Sequence, residues 1–279
     1  MSILVAAAQM TSRADVAANV ACAERLIQRA AQRGAALVGL PENFAFMGAN
    51  ERDKLVMQEA LDGPIVQRLQ RAAAEARIAV ILGGFQERSV DPERPYNTCL
   101  AIDAHGNLSA LYRKIHLFDI DLGAAGQLTE SSHTSAGDRP VVVDLAGLRV
   151  GLSICYDLRF GDLYAALVDL GANLLAIPAA FTLQTGKDHW EVLQRARAIE
   201  FQSYVLAPAQ QGLHNERRQS YGHAMIVDPW GTVLARCPDG EGICFAEVDL
   251  QRLAQVRDQL PALRHRRPDV FPRASHGAR

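Results

Sequence analysis

The chain has 279 residues, of which 49% are hydrophobic and 22% charged, a composition that excludes a disordered or collagen-like protein. Its 29 lysine and arginine residues nearly balance its 31 aspartate and glutamate residues, so the formal net charge is −2. Because no basic block is present, charge gives no reason to expect nucleic acid or a membrane as partner, and we expect a small molecule or another protein chain instead.

The cysteine and histidine positions argue against a disulfide framework and against a metal site. The five cysteines are odd in number and widely spread, without a Cys-x-x-Cys pair, and the eight histidines lack the spacing of metal ligands. Free thiols are typical of the reducing cytosol. The N-terminus lacks the basic region of a signal peptide, and no apolar run approaches the ~18 residues of a membrane span. We therefore expect a soluble, cytoplasmic protein.

Helices and buried strands alternate along the chain, with antiparallel hairpins among them. Helices are recognised by apolar residues at a 3.6-residue period between a cap and a stop, as between Asp15 and Gly34, and strands by short apolar runs. Strands are predicted at residues 3–9, 36–40, 78–83, 96–102, 108–112, 141–145, 148–154, 173–177, 204–209, 222–228, 232–236 and 243–248, and helices begin near residues 15, 63, 162, 188 and 250.

No internal repeat, low-complexity linker or shift of composition marks a domain boundary. The α/β pattern therefore predicts one domain, residues 1–271, in which two packed sheets are covered by outer helices. Residues 272–279 are predicted to form a C-terminal tail.

Cys155 is the first candidate for chemistry, because an apolar strand runs directly into a polar turn at this residue and a helix begins shortly afterwards. Backbone N–H groups and the positive end of a helix would both favour the thiolate, and the same amides could donate to an oxyanion. An inert buried cysteine is the alternative, and the sequence leaves it open. The other four cysteines have no such setting.

A cysteine nucleophile needs a base and a group that stabilises negative charge, and both are expected at the carboxyl ends of strands. Glu42 follows the strand at 36–40 between apolar neighbours, and desolvation there would raise its pKa towards the range of a general base. Lys114 follows the strand at 108–112. A surface carboxylate and a solvated lysine remain the alternatives for these two residues.

Other mechanisms find little support in the sequence. No His-Glu-x-x-His helix, Gly-x-Ser-x-Gly elbow, Gly-x-Gly-x-x-Gly fingerprint or Walker loop is present. A papain-like pairing of the cysteine with His116 or His223 is a minor alternative.

These candidate residues lie in segments that resemble the three signatures of the nitrilase superfamily of carbon–nitrogen hydrolases. The segments occur in the order and at the spacing of that family, and together with further similar blocks they extend from residue 3 to about residue 271. The signatures are Pro-Glu-Asn-Phe at 41–44, Tyr-Arg-Lys-Ile-His-Leu at 112–117 and Cys-Tyr-Asp-Leu-Arg-Phe at 155–160, and the further blocks lie at 189–200, 221–231 and 265–269.

The resemblance implies a fold, a set of catalytic residues and a mechanism. The fold is a single-domain α/β structure, the four-layer α-β-β-α sandwich of the nitrilase type, which usually forms a homodimer or a higher homo-oligomer. The catalytic triad of the family maps onto Glu42, Lys114 and Cys155, and its second glutamate best matches Glu130. Lys114 and the backbone N–H of Tyr156 would hold the oxyanion, and no metal or organic cofactor is needed.

Residues 41–48 and 217–230 look most like the subgroup of this family that acts on deaminated glutathione. The implied reaction hydrolyses a side-chain-type amide through a cysteine thioester, with release of ammonia. An omega-amidase acting on α-ketoglutaramate is the alternative within the family, and a catalytically silent binding or scaffold protein is the alternative outside it. Because the substrate carries carboxylates, cationic side chains are expected around it. The predicted substrate-binding residues are Arg159, Phe181, Thr182, Arg195, Arg217 and Arg218, with His214 on the same loop as the last two, and Arg197 and Glu200 are predicted to form a structural ion pair.

Overall fold

The computed structural model describes residues 2–121 and 127–270, and its strands form two large sheets and one small one. In chain order the strands are β1 (Ser2–Met10), β2 (Leu37–Leu40), β3 (Ala79–Glu87), β4 (Tyr96–Ile102), β5 (Leu108–Arg113), β6 (Asp119–Asp121), β7 (Gln127–Thr129), β8 (Val141–Leu145), β9 (Leu148–Leu152), β10 (Leu174–Ala176), β11 (Tyr204–Ala207), β12 (Ala209–Leu213), β13 (Gln219–Tyr221), β14 (Met225–Val227), β15 (Val233–Arg236) and β16 (Gly242–Asp249).

The two large sheets share one design, in which a parallel centre is extended by antiparallel strands. The first sheet has the order β13-β12-β1-β2-β3-β4-β5, with β16 also paired to β1, and its strands β1, β2 and β3 are parallel. The second has the order β15-β14-β11-β10-β9-β8, with β9, β10 and β11 parallel. Because parallel strands require crossovers, the helices lie outside the sheets.

Five α-helices and four 3-10 helices accompany these strands in the described residues. The α-helices are α1 (Val16–Gln32), α2 (Pro64–Ala76), α3 (Gly161–Asp169), α4 (Leu183–Phe201) and α5 (Leu250–Gln259), and the 3-10 helices span Glu51–Met57, Glu130–Ser132, Cys155–Arg159 and Ala262–His265. None of the helices described by the structure is long and apolar enough to cross a membrane.

Alternation along the strands produces two hydrophobic cores and hence four layers. Along β1, Ala6 and Ala8 face α1 and α2, whereas Val5 and Ala7 face the second sheet. On the outer side of the second sheet, Leu167 of α3 and Trp190 of α4 belong to the same core as the residues between the sheets. This order of layers confirms the predicted α-β-β-α sandwich.

Most predicted elements are present, with two instructive differences. The strand predicted at 204–209 is two strands, because Pro208 interrupts the ladder. β11 belongs to the second sheet and β12 to the first, so the chain passes between the sheets at this proline. Helix α4 begins at Leu183 rather than near residue 188, because the Thr182 side chain caps it by accepting a hydrogen bond from the Thr185 N–H at 3.3 Å. The predicted tail at 272–279 lies outside the described residues.

Candidate active site

Glu42 directly follows β2, where Pro41 ends the strand and Asn43 adopts a positive φ of 57°. Its side chain is buried and accepts a hydrogen bond from the backbone N–H of Ala180 on Oε2, at 3.1 Å. Oε1 accepts from Lys114 Nζ at 3.1 Å and from Asn97 Nδ2 at 2.9 Å. Glu42 is therefore held by groups from both large sheets.

Lys114 follows β5, and its main-chain N–H donates to the carbonyl of Asn97 at 2.9 Å. Its side chain is 2% exposed, and the ammonium group donates to Glu42 and, at 2.9 Å, to Glu130 Oε2. Burial opposes its charge, but the carboxylates of Glu130 and Glu42 more than compensate and raise the pKa of Lys114 well above its ordinary value. Lys114 is thus a permanent ammonium group at neutral pH.

Cys155 stands at the start of the 3-10 helix after β9 with a positive φ of 49°, and its N–H donates to Pro178 O at 2.9 Å. A left-handed conformation costs a non-glycine residue roughly 1–2 kcal/mol. The strain is typical of functional residues. The same turn places the thiol close enough to the carboxylate of Glu42 for that carboxylate to affect the pKa of Cys155.

The charge state of Cys155 differs from the expectation based on the strand–turn–helix setting. Burial and the adjacent Glu42 carboxylate raise the pKa of the Cys155 thiol well above its ordinary value, although Lys114 and the N–H of Ala180 act in the opposite direction. These effects favour the thiol form over the thiolate that backbone N–H groups and a helix N-terminus alone would favour. A thiol can act as a nucleophile only with a base during the attack, and the carboxylate of Glu42 lies nearby.

Glu130 is brought to the same site by the 3-10 helix that follows β7. Besides the ammonium group of Lys114, its carboxylate accepts hydrogen bonds from the N–H of Phe118 at 2.7 Å and from Asn97 Nδ2 at 3.3 Å. Burial favours its neutral form, but Lys114 and Lys54 outweigh this effect and lower the pKa of Glu130 below its ordinary value. One ammonium group thus lies between two carboxylates.

These groups form the floor of a cavity of about 320 Å³, which is of the size that binds small ligands. Among the predicted residues, those that line the cavity are Glu42, Lys114, Glu130, Cys155, Tyr156, Arg159, Phe181, Thr182, Arg217 and Arg218. The Arg159 guanidinium stacks over Phe181 with its carbon 5.4 Å from the ring centre, and Nη2 is 3.3 Å from His189 Nδ1.

Arg195 does not line the cavity. Helix α4 contributes Gln184 and Thr185 of its first turn to the lining, and Arg195 lies ten residues beyond Thr185 on the exposed side. At 1.5 Å per residue this separation is about 15 Å along the helix. Its Nε donates instead to Gly231 O at 2.8 Å. The structure therefore does not bring Arg195 to the substrate site.

The loop between β12 and β13 carries Arg217 and Arg218 over the cavity and is internally braced. The N–H groups of both arginines donate to Asn215 Oδ1 at 3.0 Å. His214 is the first residue of this loop and is buried, with Nδ1 2.8 Å from Ser12 O and Nε2 2.9 Å from the Ser220 hydroxyl. It anchors the loop without lining the cavity.

The predicted ion pair of Arg197 with Glu200 is confirmed. Arg197 Nη1 lies 2.6 Å from Glu200 Oε2, and its Nε donates to Leu158 O at 2.9 Å. Arg197 thereby ties α4 to the 3-10 helix that carries the cysteine, outside the cavity.

Asn97 and Lys54 are among the residues at the site that were not predicted from the sequence. Asn97 donates to both carboxylates and is 3% exposed. Its signal in the sequence was an amide side chain within the largely apolar strand β4. Lys54 lines the cavity and donates to the Thr134 hydroxyl at 2.8 Å, but it lies in a 3-10 helix without a sequence signature. In the described part of the chain, no cluster of His, Cys, Asp and Glu could hold a metal ion.

Comparison with known proteins matches this chain to the carbon–nitrogen hydrolase family over residues 4–258. It is 45% identical to the deaminated glutathione amidase of Mus musculus over 98% of this chain and 86% of that protein. Identity is 47% to the protein of the same name from Synechocystis sp. (strain PCC 6803 / GT-S), over 94% of this chain and 97% of that one. The C. elegans NitFhit crystal structure superposes with a TM-score of 0.91 at 43% identity, covering 96% of this chain and 66% of the other. Nit3 from Saccharomyces cerevisiae gives a TM-score of 0.83 at 30% identity, covering 93% and 94% of the two chains.

Proposed function

The chain belongs to the carbon–nitrogen hydrolase family, and from that premise we propose that it is an amidase that hydrolyses deaminated glutathione through a cysteine thioester. One observation carries the catalytic part of this proposal. The buried carboxylate of Glu42 accepts a hydrogen bond from the Lys114 ammonium group, lies near the Cys155 thiol, and lines the same ligand-sized cavity as both residues. This is the arrangement that a base-assisted thiol nucleophile requires.

The first half of the reaction forms the thioester. Glu42 accepts the proton of Cys155 while Sγ bonds to the amide carbon, and the carbonyl oxygen takes up the negative charge. The ammonium group of Lys114 and the N–H of Tyr156 stabilise this oxyanion. When the intermediate collapses, the carbon–nitrogen bond breaks and Glu42 returns its proton to the leaving nitrogen.

The second half hydrolyses the thioester. Glu42 accepts a proton from water as the water oxygen bonds to the acyl carbon, and a second oxyanion forms at the same donors. Its collapse expels the sulfur of Cys155, which recovers the proton, and the carboxylic acid leaves. In both halves, Glu130 holds Lys114 charged and in place.

The leaving group depends on the amide. In deaminated glutathione, the side-chain amide joins the glutamate-derived acyl group to the nitrogen of cysteinylglycine, so that dipeptide is released. The ammonia expected above is released from primary amides such as α-ketoglutaramate.

Recognition of a substrate with carboxylates is supported by the cations of the cavity. Arg159, Arg217 and Arg218 line it, and Lys54 adds a further positive charge near the floor. Arginine binds carboxylates through paired, charge-assisted hydrogen bonds, so these side chains suit both ends of a deaminated tripeptide. The names of the relatives from Mus musculus and Synechocystis support the same substrate.

A homodimer or higher homo-oligomer in the cytoplasm completes the proposal. The large hydrophobic side chains of Val192 and Ile199 on α4 and of Trp230 nearby are exposed, which supports a contact between copies. All five cysteines are free, which supports a reducing compartment.

The test measures kcat/KM for deaminated glutathione by cysteinylglycine release and for α-ketoglutaramate by ammonia release, with the folded Cys155→Ala variant as control. We expect deaminated glutathione to be preferred by about tenfold or more, the difference that 1.4 kcal/mol of additional binding supplies. Preference for α-ketoglutaramate would identify an omega-amidase. Turnover that survives Cys155→Ala would refute the cysteine mechanism, and the absence of any turnover would favour a silent binding protein.

A further inference from the structure

Asp157 lies two residues after Cys155, is fully buried and takes no part in the reaction described above. Its Oδ2 accepts hydrogen bonds from the Tyr112 hydroxyl at 2.7 Å and from the N–H of Ile154 at 2.9 Å. Its Oδ1 lies 3.1 Å from the main-chain nitrogen of His116, whose N–H it accepts, and 2.7 Å from His116 Nδ1. The carboxylate is therefore fully engaged.

The partners of this carboxylate flank the two proposed catalytic residues on the first and second sheets. Tyr112 and His116 stand on either side of Lys114, and the Tyr112 hydroxyl also accepts from the N–H of Ile115 at 3.2 Å. Ile154 immediately precedes Cys155. A single side chain thus joins the segment that carries the ammonium group to the segment that carries the thiol.

Ring stacking closes the other end of the same turn. The His116 ring lies parallel to that of Phe160, with centroids 3.7 Å apart and an angle of 5° between the planes. Phe160 follows the 3-10 helix that Cys155 begins, so both ends of that helix are fixed against the lysine segment. Such support is needed because Cys155 holds a left-handed conformation that its surroundings must maintain.

We propose that Asp157 is a positioning residue that fixes the Lys114 ammonium group and the Cys155 thiol relative to each other, acting through Tyr112 and His116. This inference rests on the proposed function. It predicts that a break in the network leaves the fold in place but slows the chemical step, because small displacements of reacting groups are costly.

The chemistry of the site requires a carboxylate at this position. An asparagine would offer one oxygen and one NH2 group. Whichever way the amide of Asp157→Asn is turned, its NH2 faces a main-chain N–H, that of Ile154 or that of His116, and two donors meet. Since this variant also leaves buried donors unpaired, its activity alone does not separate positioning from folding.

The decisive variant is Tyr112→Phe, which removes one hydroxyl and leaves Asp157 in place. Its matched control is Tyr204→Phe. Tyr204 is also a buried side chain, and its hydroxyl likewise donates one hydrogen bond, to Asp249 O at 3.2 Å, and accepts one, from the N–H of Asp249 at 3.1 Å. The control residue does not line the cavity.

Both variants are compared with the wild-type enzyme in thermal unfolding, steady-state kinetics and the rate of Cys155 alkylation by iodoacetamide, with Cys155→Ala as the labelling blank. We expect Tyr112→Phe to lower kcat and the alkylation rate by about tenfold or more and to change KM less than about twofold. Tyr204→Phe should keep the wild-type kcat, alkylation rate and KM. Equal losses in the two variants, or no loss in Tyr112→Phe, would overturn the proposal. The alkylation rate needs no substrate, so it decides the positioning role even where no amide is turned over.

Discussion

Replacement of Gly84 by alanine tests whether the position of the Glu42 carboxylate controls the reaction. Gly84 lies in β3 with a positive φ of 76°, directly against the glutamate. An added Cβ would lie 2.8 Å from Glu42 Cγ, 2.8 Å from Asn97 Oδ1 and 3.1 Å from Glu42 Cα. Gly34 supplies the control, because it also has a positive φ, of 81°, but an added Cβ there meets nothing within 4 Å.

The two variants share a backbone cost and differ in the contact. A left-handed alanine costs roughly 1–2 kcal/mol, so Gly34→Ala should lose about that much free energy of unfolding and Gly84→Ala, which is also overpacked, should lose more. In Gly84→Ala, Glu42 Cγ must also withdraw by about 0.6 Å to reach the 3.4 Å of an ordinary contact. Since a misplacement of 1 Å can lower a rate by about 100-fold, we expect kcat to fall by roughly 10- to 100-fold.

The assays are urea denaturation and steady-state hydrolysis of the preferred amide. Gly34→Ala should lose stability and keep kcat, whereas Gly84→Ala should lose stability and most of its kcat. If Gly84→Ala retains the kcat of Gly34→Ala at equal folded fraction, the Glu42 carboxylate tolerates displacement, and the role assigned to its contacts is refuted.

Three further predictions concern charge. Glu130→Gln should move the alkaline limb of the kcat–pH profile to lower pH, because loss of this carboxylate lowers the raised pKa of Lys114; an unmoved limb would exclude the coupling. Arg218→Ala should raise KM for deaminated glutathione by about tenfold and Arg195→Ala should not, and equal KM values would remove Arg218 from recognition. Burial lowers the pKa of His214, so the free energy of unfolding should fall as pH drops below about 6.5, where the unfolded chain takes up the proton more readily. In urea titrations at several pH values, His214→Gln should make the free energy of unfolding depend less on pH. An unchanged pH dependence would exclude His214 as its source.

The residues brought together at the floor of the cavity could be selected from the sequence because each one follows a strand. Glu42 comes after β2, Lys114 after β5 and Cys155 after β9, and α/β sheets collect their functional groups at such ends. Their convergence could not be derived from the sequence alone, since it depends on how two sheets pack together. Family resemblance supplied that link.

Features that depend on tertiary packing were harder to predict from the sequence. Arg195 lies away from the cavity because only the first turn of α4 lines it. Helical periodicity predicts which face of a helix is buried, but it does not show where along the helix a cavity lies. The pKa of Cys155 is raised by burial and by the carboxylate of Glu42, which is 113 positions earlier in the chain. The sequence contains the cause of the break between β11 and β12, which is Pro208. It contains no signal that β11 and β12 belong to different sheets.

That change of sheet has a consequence for heat resistance. At Pro208 the chain passes from one large sheet, here one half of the sandwich, to the other. The carbonyl of Pro208 accepts a hydrogen bond from the N–H of Ala179 at 3.0 Å, so this connection lies close to the cavity. Cys155 belongs to one half, whereas Glu42 and Lys114 belong to the other. The hydrolysis rate therefore depends on how tightly the two sheets pack against each other. On heating, activity should be lost at a lower temperature than the secondary structure of either sheet.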